Sequence, residues 1–374
     1  MILFLYTLAA ILYGLRIFTF VYGAARERRK FIPQSAAPLP FVSVIVPARN
    51  EESNIETCIQ SIVLSNFPPN NFEIVVVDDR STDGTAAVLR KLTQKHPLLR
   101  VITLDETRTT KNLRGKPGAL QAGIENSRGD IILMTDADCT VVPDWIATMA
   151  RQFDNPRVGL VPSFTLIKAK TFFEQMQAIE WIMNHTMASA GVGLNQPLGC
   201  FGNNLAVRRT AYESVGGYKN IRFSVTEDLA LLQAIFTHGW EVRYVCSSSA
   251  VVTTLPCQTL GEYIRQHHRW LRGGVDLGWR AVIFVAFSAS LWICILAAFL
   301  GGDFLLLPLI FAIRVIGDFA VISPSMAILK RKRQLGWGFS GCRIYNSPRT
   351  RHTAVITQKR SRVEGTSLSV ICPL

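Results

Sequence analysis

The sequence predicts an α/β domain on a mainly parallel sheet, set between apolar helices that would anchor it to a membrane. Short β-branched runs alternate with helical stretches over the first part of the chain, the pattern of strands joined by crossover helices. Apolar runs about as long as a bilayer core, on the order of 20 residues, stand on both sides of that region. A mean hydropathy above zero also coexists with a formal net charge of +13. Apolar and cationic excess normally oppose each other, and together they suit a protein lying in and against an anionic membrane, so the basic excess is assigned to lipid and not to nucleic acid.

Met1 to Tyr22 is apolar apart from Arg16, and Arg26, Arg28, Arg29 and Lys30 follow it. A signal peptide carries its basic residues before the apolar run, so this order predicts a retained anchor whose basic flank stays in the cytosol. Ala281 to Leu300 and Phe304 to Ile322 form two further runs, separated by Gly301, Gly302 and Asp303. Arg272 and Arg280 precede that pair and Lys330 to Arg333 follow it. Both flanks therefore read as cytosolic, and everything between Arg26 and Arg280 is expected there, on a protein integral to the plasma (inner) membrane. Arg314 and Asp318 lie one helical turn apart in the third run, either as a self-neutralising pair or as part of a polar path. Eight cysteines without C-x-x-C pairs or matched histidines argue against a zinc site and against a disulfide framework.

Within the domain, strands are expected at Val42 to Val46, Glu73 to Val77, Arg100 to Leu104 and Ile131 to Thr135. Helical stretches fall at Glu52 to Leu64, Thr82 to Lys95 and Pro117 to Asn126. Ligands of such sheets bind beyond the carboxyl ends of the strands. No G-x-G-x-x-G or G-x-x-x-x-G-K-[ST] loop occurs, which removes the common dinucleotide and P-loop readings. Instead the strand ends deliver acids: Asp78, Asp79 and Asp83 after the second, Asp136 and Asp138 after the fourth. Each alone could be a turn or cap residue. Asp136 and Asp138, two apart on an extended chain, would point the same way and could share Mg²⁺ or Mn²⁺ with the phosphates of a substrate. Lys116, before a helix, could add a cation for those phosphates or simply be a solvated loop lysine.

Five ordered motifs then resemble the family-two inverting glycosyltransferases, which include cellulose, chitin and hyaluronan synthases and ceramide glucosyltransferases. They are V-S-V-I-V-P-A-R-N-E-E at Val42 to Glu52, V-D-D-R-S-T-D-G-T at Val77 to Thr85, D-A-D at Asp136 to Asp138, T-E-D at Thr226 to Asp228, and Q-H-H-R-W at Gln266 to Trp270. The resemblance implies a GT-A fold, Rossmann-like with a mainly parallel sheet, and a nucleotide-sugar donor, commonly a uridine diphosphate sugar. It places Glu51 and Asp79 on the donor side, Asp79 facing the nucleobase. Asp136 and Asp138 resemble the ribose and metal contacts, and Asp228 the general base. Gln266, Arg269 and Trp270 resemble the motif that closes over the diphosphate and the acceptor terminus. Gly202 to Asn204 resembles the acceptor-side loop.

The residues themselves keep other readings open. Glu227 and Asp228 could be first-turn acids of a helix over Leu229 to Phe236. Tyr263 to Arg272 reads as an amphipathic helix on the membrane surface, with His267 and His268 on its polar face. The expected organisation is an anchor at 1–23, a basic linker at 24–40, the GT-A domain at 41–255, an interfacial helix at 256–280, two spans at 281–322 and a basic tail at 323–374. That tail loses all periodicity, which fits disorder or a shift of reading frame near Gly336. The function expected is sugar transfer to a membrane-presented acceptor, a lipid or a glycan. A processive polysaccharide synthase and a non-catalytic subunit of the same fold are the alternatives.

Overall fold

The computed structural model describes residues 2–31, 38–105, 113 and 115–331. The tail from 332 onward, with the alternatives raised for it, lies outside the described residues. The chain opens with α1 (Ile2–Arg28), then alternates β1 (Val42–Ala48), α2 (Ile55–Val63), β2 (Phe72–Asp78), α3 (Thr85–Lys95), β3 (Leu99–Thr103), α4 (Lys116–Glu125) and β4 (Ile131–Met134). Next come β5 (Thr140–Val141), α5 (Trp145–Arg151), β6 (Val158–Pro162), β7 (Thr165–Ile167) and α6 (Phe172–Gly193). They are followed by β8 (Leu205–Arg208), α7 (Arg209–Ser214), α8 (Gly217–Asn220), α9 (Glu227–Thr237), β9 (Glu241–Val242) and β10 (Val252–Thr254). The last described elements are α10 (Leu260–Gly274), α11 (Trp279–Gly301) and α12 (Leu306–Ile328).

The main sheet has the order β3-β2-β1-β4-β8-β6-β9, and its first four strands are parallel. Every residue of β2 is buried, as expected of a strand covered on both faces, whose sequence is a continuous apolar run and not an alternation. Successive side chains still part company. Ile45, Val75 and Val77 pack with Ala119 and Leu120 of α4 in one core, whereas Val44, Val46, Ile74 and Val76 pack with Ile55, Ile59 and Ile62 of α2 in the other. Strand order turns back at β1, with β2 on one side and β4 on the other. That topological switch point leaves a crevice at the carboxyl ends of β1 and β4. A smaller sheet, β5-β10-β7, lies beside it.

Two described helices, Tyr6–Arg28 and Leu306–Ile328, are long and apolar enough to cross a membrane. Helix α11, Trp279–Gly301, is 23 residues long and contains the second apolar run of the sequence. Helix α1 is continuous to Arg28, so Arg26 and Arg28, placed in a linker by sequence, lie in its last turn, and Arg29 and Lys30 follow it directly. This end of the helix docks on the domain: the buried Glu27 accepts from the Tyr244 N–H (2.9 Å) and pairs with Lys30 (3.0 Å). Gly23 meets α6 so closely that a Cβ on Gly193 would fall on the Gly23 carbonyl. Helix α12 continues past Ile322 through Pro324 to Ile328, because Val321, Ile322, Met326 and Leu329 turn into the domain core.

Candidate active site

The crevice at the switch point is a cleft of about 670 Å³. Glu51, Asp79, Lys116, Asp136, Asp138, Asp228, Gln266, Arg269 and Trp270 all line it. Residues from six separate stretches of chain thus reach one space.

The loops after β1 and β2 are tied to each other. Asn50, at φ 57°, accepts from the Thr82 N–H (2.8 Å), and its own N–H donates to Ser81 Oγ (3.0 Å). The Glu51 N–H donates to Thr85 Oγ1 (2.8 Å) and the Gly84 N–H to Glu52 (3.0 Å). Asp83 accepts from Thr85 Oγ1 (2.5 Å), and this bond, with others from backbone N–H groups, holds its carboxyl below the usual range. Asp83 and Glu52 are therefore loop fasteners. Glu51 accepts from Asn54 (2.9 Å) and is held above its ordinary pKa by burial, with Asp138 and Asp136 adding to the shift. Asp79 is buried and paired with Arg80 (2.6 Å), whose backbone sits at φ 58°. Both also line a smaller hollow of about 60 Å³ with Gly118 and Gln121.

Helix α4 begins at Lys116, with Pro117 in its first turn, a position where the missing N–H costs nothing. Lys116 Nζ lies 2.5 Å from Asp136 Oδ1 and 3.5 Å from Glu227 Oε1. Burial works against its charge, but Asp136, Glu227 and Asp228 more than offset this and hold its pKa above the ordinary lysine value. It is not a solvated loop lysine.

Sequence reasoning put Asp136 and Asp138 on an extended strand. The structure ends β4 at Met134, and a turn closed by the Cys139 N–H on Asp136 O (3.1 Å) carries both acids into the cleft. Asp138 accepts from Cys139 Sγ (3.2 Å) and Thr254 Oγ1 (3.3 Å). Burial and the Asp136 carboxylate raise its pKa, while those two bonds and Lys116 lower it. Two carboxylates in a shielded place, one with a lysine and one with only weak donors, are an electrostatic fit for a cation. Among the described residues no group of three His, Cys, Asp or Glu side chains could hold an ion alone. The protein would supply part of a ligand set that substrate phosphates complete.

Helix α9 starts at Glu227, so Glu227 and Asp228 are first-turn acids and also line the cleft. The Gly202 N–H donates to Asp228 Oδ2 (2.7 Å) and the Leu229 N–H to Oδ1 (2.8 Å). Burial and the adjacent Glu227 push the Asp228 carboxyl up to about 7, against the pull of Lys116 and the two N–H groups. Gly202 and Asn203 face the cleft. Asn204 does not: it accepts from Trp145 Nε1 (2.9 Å) and donates to the carbonyls of Phe164 and Ala250.

Trp270 packs edge-on against Trp181 (5.8 Å) and Phe201 (6.0 Å) and at a tilt against His267 (4.9 Å). His267 does not lie on a solvated face; its Nε2 meets Glu180 Oε1 of α6 at 2.6 Å, and the Tyr263 hydroxyl donates to the other Glu180 oxygen (2.7 Å). Trp181, Phe201, Thr254 and Glu180 were not singled out by the sequence. The one available signal was Thr171 with Glu174, a capping box that opens α6.

Structural comparison gives a TM-score of 0.57 to a mannosyltransferase from Pyrobaculum calidifontis solved with GDP-Man and Mn²⁺, at 22% identity over 88% of this chain and 96% of that one. The likeness shows a GT-A fold. A beta-monoglucosyldiacylglycerol synthase of Nostoc sp. is 29% identical over 268 residues, covering 70% of this chain and 54% of that protein. A poly-beta-1,6-N-acetyl-D-glucosamine synthase of Staphylococcus epidermidis is 25% identical over 243 residues, 63% of this chain and 55% of that protein. The chain thus spans about half the length of these curated relatives. The profile described as Glycosyl transferase family 2 matches residues 43–216, the switch-point half of the cleft, and that described as Glycosyl transferase family group 2 matches 131–331. The second match covers more than half of the chain and runs from the acid pair through Asp228 and α10, so the chain belongs to glycosyl transferase family group 2.

Proposed function

We propose that the protein transfers a sugar from a nucleotide-diphosphate sugar, of the uridine kind, to a lipid hydroxyl at a membrane surface, inverting the anomeric carbon. The observation that carries this is the arrangement of acids in one cleft: Asp136 and Asp138 in the turn after β4, Glu227 and Asp228 at the start of α9, and Lys116 between Asp136 and Glu227. Asp136 and Asp138 would hold Mg²⁺ or Mn²⁺, which when bound neutralises charge growing on the leaving diphosphate. Lys116 and Arg269 add fixed cations for the same oxygens. Asp79 and Glu51, which line the same cleft, would take the nucleoside side of the donor. Asp228, with a pKa near the working pH, suits removal of the acceptor proton. Attack from the Asp228 side, opposite the leaving group, inverts the centre.

A lipid acceptor is supported by the rim. Phe223, Val225 and Leu255 line the cleft yet are exposed, and Leu260 and Ile264 of α10 continue the apolar surface outward. The Nostoc relative's name points the same way. Membranes carrying the chain, given a panel of labelled nucleotide sugars, should place label in a lipid-extractable product. Label confined to a polymer would support the polysaccharide reading that the S. epidermidis relative suggests; no transfer from any nucleotide sugar would refute both.

A further inference from the structure

Away from the cleft, α1 and α12 carry a charged cluster that sugar transfer does not use. Arg16 Nη1 pairs with Asp318 Oδ1 (3.1 Å), and the Tyr13 hydroxyl reaches that oxygen (3.2 Å) and the Arg314 carbonyl (2.9 Å). Arg314 Nε stands 3.6 Å from Asp318 Oδ2, beyond hydrogen-bond length, with its guanidinium 4.5 Å over the Trp292 ring of α11. Two guanidiniums therefore share one carboxylate. The cluster keeps one net positive charge in apolar surroundings, where a lone charge is costly.

The donors are also underused. Arg16 Nε is buried and makes no hydrogen bond, and Nη2 has only the Met187 sulfur at 3.8 Å. Stacking of Arg16 over Tyr13 and Phe20 eases the charge without cancelling it. We infer that this cluster binds one phosphate group borne by a membrane lipid. A guanidinium matches a phosphate with two parallel N–H bonds, and one anion would balance the cluster. The surroundings choose the source: Leu15 and Phe18 on α1 and Ile313 and Ile316 on α12 are exposed apolar side chains flanking the cluster. A lipid can bring its phosphate there with its chains along that surface, whereas free phosphate would have to shed its water first.

The inference rests on the reading of α1 and α12 as membrane spans, which alkaline extraction of membranes tests separately: a chain released to the supernatant ends that reading. For the retained chain, native mass spectrometry after release from nanodiscs of mixed phosphatidylcholine and phosphatidylglycerol should find one phosphatidylglycerol held preferentially. Arg314→Gln and Arg16→Gln should each weaken retention about fivefold, the effect of one cationic side chain near anionic lipid. Asp318→Asn should strengthen it, because it removes the competing anion; a purely structural cluster would lose lipid with all three changes. Should Arg16→Gln fail to fold, the part-exposed Arg314 and the parent protein carry the test. Equal retention of the two lipids by the parent, or occupation by inorganic phosphate in detergent, overturns the inference.

Discussion

Asp228→Asn isolates the proton-transfer step. If Asp228 is the base, kcat should fall by roughly 10²–10⁴-fold, about 3–5 kcal/mol of transition-state stabilisation at about 1.36 kcal/mol per tenfold. The structure adds a second term. Both Asp228 oxygens accept backbone N–H groups, from Gly202 and from Leu229, and an amide can accept only one of them. The other N–H then faces an NH₂ group, a loss of about 1–3 kcal/mol that should appear in stability more than in donor affinity, because neither N–H comes from a residue proposed to hold the donor. Donor binding, read by calorimetry, should stay close to the parent value while single-turnover transfer collapses.

The pH dependence gives an independent check. A carboxyl raised from 3.8 to about 7 in the folded protein is ionised only as pH passes that value, so parent kcat/KM should rise with pH through an acidic limb near 7. The folded state binds the extra proton, so this group's contribution to stability is present below about pH 4 and is lost as pH rises through about 7. The Asn variant should lack both the limb and that loss of stability. Transfer at close to the parent rate with the limb intact would refute the assignment and return Asp228 to a helix-terminal role, with Glu227 the next candidate for the base.

Excess chelator should abolish transfer by the parent, with Mg²⁺ or Mn²⁺ restoring it; undiminished turnover would remove the metal from Asp136 and Asp138. Glu227→Gln deletes the charge that helps raise the Asp228 pKa and should move the acidic limb of kcat/KM to lower pH, an unmoved limb showing that burial alone sets it. A cysteine at Gly302, between α11 and α12, should react with an impermeant maleimide from outside intact cells, and one at Lys330 only after lysis; reversed labelling would overturn the cytosolic placement of the cleft.

What the sequence made legible follows from where information is local. Parallel strands buried on both faces must be continuous β-branched runs, so β1, β2 and β4 could be read to within a few residues, and the acids after them could be assigned to one edge of the sheet. Lys116 was read from its place before a helix, Asp228 and the α10 motif joined that edge through family resemblance, and the fold does bring them together. The strands of the smaller sheet were invisible, being two or three residues each and too short for any periodicity. Helix α6 was missed because small and polar residues, Thr186, Ser189, Gly191 and Gly193, are buried along it and blur the apolar stripe. The Arg16–Asp318 pair joins residues 302 positions apart; sequence offered Asp318 a pair with Arg314, four residues away, or a place in a polar path, and could not see Arg16.

Helix α6 also ties the cleft to the apolar helices. Its last turn is locked to α1 where Gly23 and Gly193 touch, and Thr186 donates to Ser325 of α12 (3.0 Å). One residue earlier, His185 accepts the Thr165 N–H at Nε2 (3.1 Å), which leaves Nδ1 to bond the Tyr244 hydroxyl (2.6 Å). Burial pushes that imidazole down to about 3, so it stays neutral and this junction does not loosen as pH changes in the working range. A further turn back, Trp181 supports Trp270 in the cleft while Glu180 grips Tyr263 and His267 of α10. A displacement of α1 or α12 must therefore pass through a rigid helix to the tryptophan that would receive the acceptor. The position of the cleft relative to α1 and α12 is set by packing and not by a linker, which, were those helices to span a membrane, would suit an enzyme whose acceptor hydroxyl is held at a fixed depth in the lipid headgroups.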